Sequence, residues 1–405
     1  MHIVFVHKTF PAQFGHIARH LVRQHGCRAT FVSQMAPRDV DGVECVQYKL
    51  QGGATDNTHY CSRTFENAVW HAHAVFEALK ARPDIKPDLI VGHSGFGSTI
   101  YLRELYDAPI VNYFEYFYRA HQSDMDFRPD FPNPQIDLLR TYTRNAMLLA
   151  DLENCHAGYS PTRWQRDRLP GMFHDKVRVI FDGVDTEFWR RRPNVTRQVA
   201  GRGVPDDVKI VTYASRGLES LRGFDIFMRM AKRICQRRSD VLFVVAGKDE
   251  ICYGGDHKVI VGDSFKKWVL AQDEYDLARF AFVDFLPPSQ LAQLLSISDL
   301  HVYLTVPFVL SWSLFDALAC GATVLASDTP PVRELIEHGQ TGLLVDFFDI
   351  DGFADAACQV LDSPRDYHAL GAKGVELIRE KYSLDVCVPR LMELLREVLK
   401  KPARP

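Results

Sequence analysis

Short β-rich runs alternate with helical segments through the first half of the chain, and after one break the same alternation begins again. The first half reads HIVFVH, RATFVS, DLIVGH, PIVNYFEYF and AGYSPT, with helices expected near Gly15–Gln24, over Thr64–Lys80 and from Thr99. The second half reads VKIVTYAS, VLFVVAG, FAFVDFL, LHVYLT, TVLASD and GLLVDF, with helices expected over Phe224–Gln236 and Ser289–Ser296. The alternation is that of βαβ units, and strands so uniformly apolar suit a parallel sheet covered on both faces. Between the halves lies FDGVDTEFWRRRPNVTRQVAGRGVPDD, rich in Gly, Pro, Arg and Asp, which reads as a boundary. The expected organisation is α/β, two tandem Rossmann-like doubly wound domains. Residues 1–187 form the first domain, 188–207 the linker and 208–382 the second domain. Residues 383–405 form a helical tail, with packing back on the first domain left open. PARP at 402–405 reads as a frayed end.

Each half of a 405-residue chain is large enough to bury a full core. A formal net charge of −3 argues against a nucleic-acid partner, because phosphate neutralisation needs a basic excess. The nine cysteines include no CxxC pair, so neither a zinc knuckle nor a redox dithiol is indicated, and a reducing, cytoplasmic setting is expected. The apolar run in MHIVFVHKTFPAQF is too short for a secretory segment, and no stretch reaches the ~18 apolar residues of a membrane span. Peripheral membrane contact stays open, although the run Trp189–Arg192 is too short to argue for it.

The segment PFVLSWSLFDALACGATVLASDTPP at 307–331 runs from a strand end through a short helix into a second strand, and puts one carboxylate, Asp316, on that helix. In a doubly wound sheet a carboxylate so placed can accept from both hydroxyls of a nucleotide ribose. Two arginines stand near the end of the first strand of the second half, in SRGLESLRG: Arg216 and, beside Gly223, Arg222. Such a pair binds a diphosphate through charge-assisted hydrogen bonds, although loop arginines are also often merely solvated.

With these blocks in view, the chain resembles the GT-B glycosyltransferases, specifically the retaining family 4, over nearly its whole length. The resemblance rests on the 307–331 segment, on FDGVD at 181–185, on SRGLESLRG at 215–223 and on VRELIEHGQTGLLVD at 332–346. It implies that Arg216 and Arg222 hold the diphosphate of a nucleotide sugar, with Arg222 where the family usually has lysine. It implies that Asp316 binds ribose and that Ser311 and Trp312 lie where the family's loop wraps the diphosphate. For Trp312, core packing is an equal alternative. The family's first glutamate, separated from the second by seven residues, is here Phe308, whose ring cannot hydrogen-bond a sugar hydroxyl. Ser311, Ser313 and nearby backbone N–H groups would then hold the sugar, or the sugar lacks that hydroxyl.

In the first half, the family's Gly-rich phosphate loop corresponds to Gly15. The family's sugar-contacting histidine is replaced by Glu115, amid Tyr113, Phe114, Tyr116, Phe117 and Tyr118. A carboxylate there could bind sugar hydroxyls or stabilise oxocarbenium charge, the alternative being a pair with Arg119. His93, at a strand end followed by Ser94 and Gly95, is either structural or part of the site. His16 is read as facing solvent. The Asp-x-Asp strings at 124–126 and 346–351 read as solvated loops, and DFRPDFPNP at 126–134 as an ordered lid over the acceptor.

The candidate catalytic residues are therefore Glu115, Arg216, Arg222 and His93. The candidate nucleotide-sugar residues are Gly15, Arg216, Arg222, Ser311, Trp312, Ser313 and Asp316. No metal and no cofactor is expected beyond the nucleotide-diphosphate sugar, uridine diphosphate being favoured and guanosine diphosphate second. The resemblance implies a retaining hexosyltransferase with a glycan, lipid-linked or small-molecule acceptor. The other readings are a catalytically degenerate GT-B binding protein and, lower, a nucleotide-sugar epimerase.

Overall fold

The computed structural model describes residues 1–36 and 42–401. The expected fraying of 402–405 lies outside the described residues. The chain divides into two compact units, the first made of 1–121, 134–183 and the chain from 385, the second of 122–133 and 184–384.

The first unit is built on a seven-stranded parallel sheet of β1 (His2–Val6), β2 (Arg28–Ser33), β3 (Val43–Gln47), β4 (Leu89–His93), β5 (Ile110–Tyr113), β6 (Ala157–Ser160) and β7 (Val177–Val179), in the order β3-β2-β1-β4-β5-β6-β7. All five residues of β1 are buried, as an apolar run at the centre of a covered sheet must be. Its helices are α1 (Phe14–His25), α2 (Arg63–Lys80), α3 (Gln135–Arg144), α4 (Ala146–Asn154) and α5 (Arg163–Asp167). Helix α1 stops because Gly26 takes φ 61° and returns its N–H to the Leu21 carbonyl. The helix expected from Thr99 is reduced to one 3-10 turn over Leu102–Glu104. Ser98 and Thr99 turn their hydroxyls inward instead, onto Asp151 Oδ1 at 2.8 Å and Asn112 Oδ1 at 3.1 Å, and such bonds compete with helix formation.

The second unit contains a parallel sheet of β10 (Lys209–Gly217), β11 (Val241–Lys248), β12 (Phe280–Phe282), β13 (Leu300–Tyr303), β14 (Val324–Ser327) and β15 (Leu343–Val345), in the order β12-β11-β10-β13-β14-β15. Ahead of it, β8 (Gln198–Val199) and β9 (Arg202–Gly203) form a small antiparallel hairpin. Its two turn residues, Ala200 and Gly201, both take positive φ, as a tight two-residue hairpin requires. The helices are α6 (Phe224–Arg237), α7 (Phe265–Ala271), α8 (Pro288–Ile297), α9 (Trp312–Ala319), α10 (Ile350–Asp362) and α11 (His368–Leu377); α12 (Leu384–Val398) leads into the part of the chain that belongs to the first unit.

Two boundaries differ from expectation. Residues 188–207, expected as a linker, belong to the second unit, where the hairpin packs Val199 into a core cluster with Ile210, Val244, Leu294 and Ile297. Residues 122–133, expected inside the first domain and largely as an acceptor lid, also belong to the second unit. Arg128 decides this: it is buried, donates to Asp225 Oδ2 at 2.7 Å and Oδ1 at 3.2 Å, to Asp130, and to the Ser220 carbonyl. Phe127 packs on Phe347 and Phe348, and Phe131 on Phe265 and Trp268. A guanidinium removed from water must be paired, and its partners lie on the second unit.

Candidate active site

In the second unit the polar groups gather at the end of β10, the turn into α6 and the first turns of α9. Gly223 caps α6 with φ 64°, a left-handed geometry that only glycine adopts cheaply, and a Cβ there would meet Leu304 Cβ at 2.8 Å. This turn sets Arg222 beneath the surface: it is 4% exposed, and its Nη1 donates to Thr305 Oγ1 at 2.8 Å and to the Val309 carbonyl at 3.0 Å. Nε and Nη2 keep their N–H groups uncommitted among the described residues. Arg216 is exposed, and the Tyr253 hydroxyl hydrogen-bonds its guanidinium and strengthens its hold on the proton.

Tyr253, which the sequence reading did not single out, lies between the two arginines, its ring centre 5.9 Å from the Arg216 guanidinium and 5.4 Å from that of Arg222. It also meets Phe308, at 5.9 Å between ring centres. Phe308 is buried and lies 5.7 Å from the Arg222 guanidinium, so the residue that replaces a glutamate packs as an aromatic wall beside the cation.

A second unanticipated residue organises this corner. Glu219, fully buried, accepts on Oε2 from the backbone N–H groups of Cys252, Tyr253 and Gly254, at 3.0, 2.9 and 3.0 Å, while Oε1 has no partner. Burial raises its carboxyl above the ordinary value, against the pull of those bonds. The same turn is held by Asp256, which accepts from the Ser220 N–H at 2.7 Å and from the Ser220 hydroxyl. An acid midway between two arginines in SRGLESLRG was the available signal, but only the fold shows that it faces a loop 33 residues on.

On α9, Ser311 is the N-cap and accepts from the Ser313 N–H at 3.3 Å, while its own N–H donates to the Tyr303 hydroxyl. The Ser313 hydroxyl donates to Ser311 Oγ at 2.9 Å. Both serines thus shape the helix start. Trp312 is 43% exposed, which removes core packing as its role. Asp316 retains some exposed surface but lies deep in the unit, where burial raises its carboxyl well above the usual carboxylate range, and it has no hydrogen-bond partner among the described residues.

In the first unit, the end of β4 and the stretch after β5 bring His93 and Glu115 together. His93 is fully buried, and its Nδ1 donates to the Ser94 carbonyl at 3.0 Å. That fixes Nε2 as the atom facing Glu115 Oε2, 3.6 Å away, an ion pair when the ring is protonated. Gln13 donates through Nε2 to Glu115 Oε1 at 3.0 Å. Arg119, the alternative partner considered for Glu115, directs Nε and Nη2 to the Arg168 carbonyl. His7 stacks edge-on against His93 with ring centres 4.9 Å apart, and burial lowers it to about 2, so it is neutral at physiological pH. Gly15 has a packing reason for its small size: a Cβ would lie 2.1 Å from Pro11 Cβ. His16, expected to face solvent, donates to the Asp182 carbonyl at 2.9 Å.

The acidic strings serve local structure. Asp126 accepts from the N–H groups of Gln122 and Ser123, and Asp349 caps α10. Among the described residues no group of three His, Cys, Asp or Glu side chains is arranged to hold a metal ion, and no helix is long and apolar enough to cross a membrane.

Residues 25–189 match the family described as Glycosyl transferase family 4 group, and residues 195–376 the family described as Glycosyl transferases group 1. The chain belongs to family 4 of the GT-B glycosyltransferases. This family 4 chain is 23% identical over 225 residues to the N-acetyl-alpha-D-glucosaminyl L-malate synthase of Bacillus anthracis, covering 55% of this chain and 54% of the relative. It is 24% identical over 307 residues to a D-inositol 3-phosphate glycosyltransferase of Corynebacterium glutamicum, covering 74% and 69%. The chain spans about half the length of several of the curated relatives it matches. Among solved structures, sucrose-phosphate synthase from Thermosynechococcus elongatus superposes with a TM-score of 0.75 at 17% identity, covering 98% of both chains. WaaG, a glycosyltransferase involved in lipopolysaccharide biosynthesis, superposes at 0.69 with 14% identity, covering 98% and 99%. HepE of Anabaena, solved with UDP-glucose, superposes at 0.67 with 15% identity, covering 98% and 99%. These similarities establish the fold, two Rossmann-like α/β domains of GT-B type.

Proposed function

We propose that this chain transfers a hexose from a nucleoside-diphosphate sugar, a uridine diphosphate sugar first and a guanosine diphosphate sugar second, to a hydroxyl of a small acceptor, with retention at the anomeric carbon and without a metal ion. The observation that carries this is Asp316: a deep carboxyl with no hydrogen-bond partner among the described residues, on the helix where the family binds ribose. A pair of ribose hydroxyls would supply its missing hydrogen bonds. Arg216 and the uncommitted N–H groups of Arg222 would take the diphosphate, assisted by the N-terminal end of α9.

In the reaction, the bond from the anomeric carbon to the β-phosphate oxygen breaks and a bond to the acceptor oxygen forms on the same face. The acceptor proton passes to the departing phosphate. The arginines stabilise the charge that develops on that leaving group. Glu115, held by Gln13 and facing His93, would bind the sugar or stabilise its oxocarbenium character, in place of the histidine usual in the family. The acceptor is proposed as a small polyol or hydroxy acid, on the strength of the inositol phosphate and malate in the relatives' names.

The test is nucleotide release and product formation with uridine diphosphate glucose and with guanosine diphosphate mannose, each with myo-inositol phosphate or malate, in the presence of a chelator. Titration calorimetry runs in parallel. Arg216→Ala and Arg222→Ala should each weaken uridine diphosphate binding by roughly 1.5–3 kcal/mol while uridine loses far less. Unchanged diphosphate affinity in both variants would reject the assignment. Nucleotide binding without transfer to any acceptor would favour the degenerate binding protein.

A further inference from the structure

The run of arginines after FDGVD takes no part in the groups described above. Arg192 is engaged, donating to the Phe188 carbonyl at 2.8 Å. Arg190 and Arg191 are exposed, and with Arg379, exposed and from the turn Ile378–Tyr382, they line a cavity of about 200 Å³. Thr186, Trp189, Ala319 and Val375 complete its wall. All of these residues belong to the second unit.

None of the three guanidinium groups has a carboxylate or carbonyl partner among the described residues. Several other arginines of this unit are paired with carboxylates: Arg128 with Asp225, Arg233 with Asp351, Arg237 with Asp355, Arg238 with Asp240 and Arg333 with Asp328. Three like charges brought to one cavity repel each other unless an anion joins them. The remaining polar wall also offers donors, the Thr186 hydroxyl and the donor-only Trp189 indole. The cavity is prebuilt: the Val184 N–H donates to the Tyr382 carbonyl at 2.7 Å and the Leu384 N–H to the Val184 carbonyl at 2.9 Å, tying the two arginine-bearing segments together. Asp185 Oδ1 then accepts from the N–H groups of Glu187 and Phe188, and the Trp189 N–H closes onto the Asp185 carbonyl, fixing the turn that presents Arg190 and Arg191. Guanidinium forks carried on such fixed turns suit an anion with several acceptor oxygens better than a halide.

We infer that this cavity binds a phosphoryl group. It is separate from the proposed diphosphate site, because Ala319 ends the eight-residue helix α9 whose other end holds Ser311 and Trp312. That length is about 12 Å. The phosphoryl group is either that of a free phosphate compound or that of an anionic lipid headgroup.

The experiment titrates inorganic phosphate into the full chain at constant ionic strength, and in parallel floats the protein with vesicles of equimolar phosphatidylglycerol and phosphatidylcholine. The expected result is a phosphate-binding event that persists in Arg216→Ala and weakens about tenfold or more in Arg191→Ala and Arg379→Ala. Silent phosphate titrations with flotation that is lost in the same variants would assign the headgroup as the source. Phosphate binding and flotation that are both absent, or both unaffected by the arginine substitutions, would overturn the inference. Because the side chains are exposed, thermal midpoints should not move; Arg191→Gln and Arg379→Gln stand in for any alanine variant that fails to fold.

Discussion

Glu219→Gln tests whether the corner around Tyr253 is organised by one carboxylate. In the parent, one oxygen receives three backbone N–H groups at 3.0, 2.9 and 3.0 Å. Hydrogen bonds to a charged acceptor contribute about 1.5–3 kcal/mol and those to a neutral one about 0.5–1.5 kcal/mol, so each bond loses about 1 kcal/mol on substitution. The amide also places an NH₂ where the second oxygen is buried without a partner, or turns its oxygen away from the loop. Relief of the buried charge, which already lifts this carboxyl above its ordinary value, offsets part of the loss. A net cost of about 2 kcal/mol follows, which lowers the thermal midpoint by about 4–8 °C for a unit of this size. The loop would then hold Tyr253 less firmly against Arg216 and Arg222, and calorimetry should find uridine diphosphate bound about tenfold more weakly with uridine unchanged. Tyr253→Phe keeps the ring between the arginines and should restore most of that affinity relative to Tyr253→Ala. A Glu219→Gln protein with the parent's midpoint and diphosphate affinity would refute the account.

Asp316→Asn should keep the fold. Because burial raises the parent's carboxyl, the contribution of Asp316 to stability is full below the unfolded value and declines as pH rises through the folded one, so the asparagine variant should be the more stable at neutral pH in urea denaturation. It should also discriminate ribonucleotide from deoxyribonucleotide less well than the parent; equal discrimination would remove the ribose role. Glu115→Gln should lower turnover about 10²-fold with uridine diphosphate affinity nearly unchanged, as expected of a group acting mainly in the transition state, and full activity would exclude it. Arg128→Ala leaves the buried Asp225 with only Arg229, 3.5 Å away, and should cost about 3 kcal/mol, with residues 122–133 becoming the first site of limited proteolysis. Parent-like stability and proteolysis would show that this segment is held by its aromatic contacts alone.

The period of the apolar residues was sufficient to read two parallel sheets, because a strand covered on both faces is apolar along most of its length, as β1, β4 and β14 are. Glycine and arginine in SRGLESLRG and the acid on α9 were legible for the same local reason: the turn into α6 needs a left-handed residue, and the cations stand within a few residues of it. What the chain could not announce depends on contacts between distant segments. Arg128 reads as part of a proline-rich loop until Asp225 is placed beside it, and only then do residues 122–133 belong with the second unit. Glu219 looks like a surface acid until the N–H groups of 252–254 converge on it, and Tyr253 has no motif at all. Glu115 was legible as an anomaly, but Gln13 and His93 as its partners were not, because strand order rather than sequence spacing brings the ends of β4 and β5 next to α1. Local backbone demands are written residue by residue; the pairing of buried charges is decided where the folded chain removes water, and that place exists only in the tertiary structure.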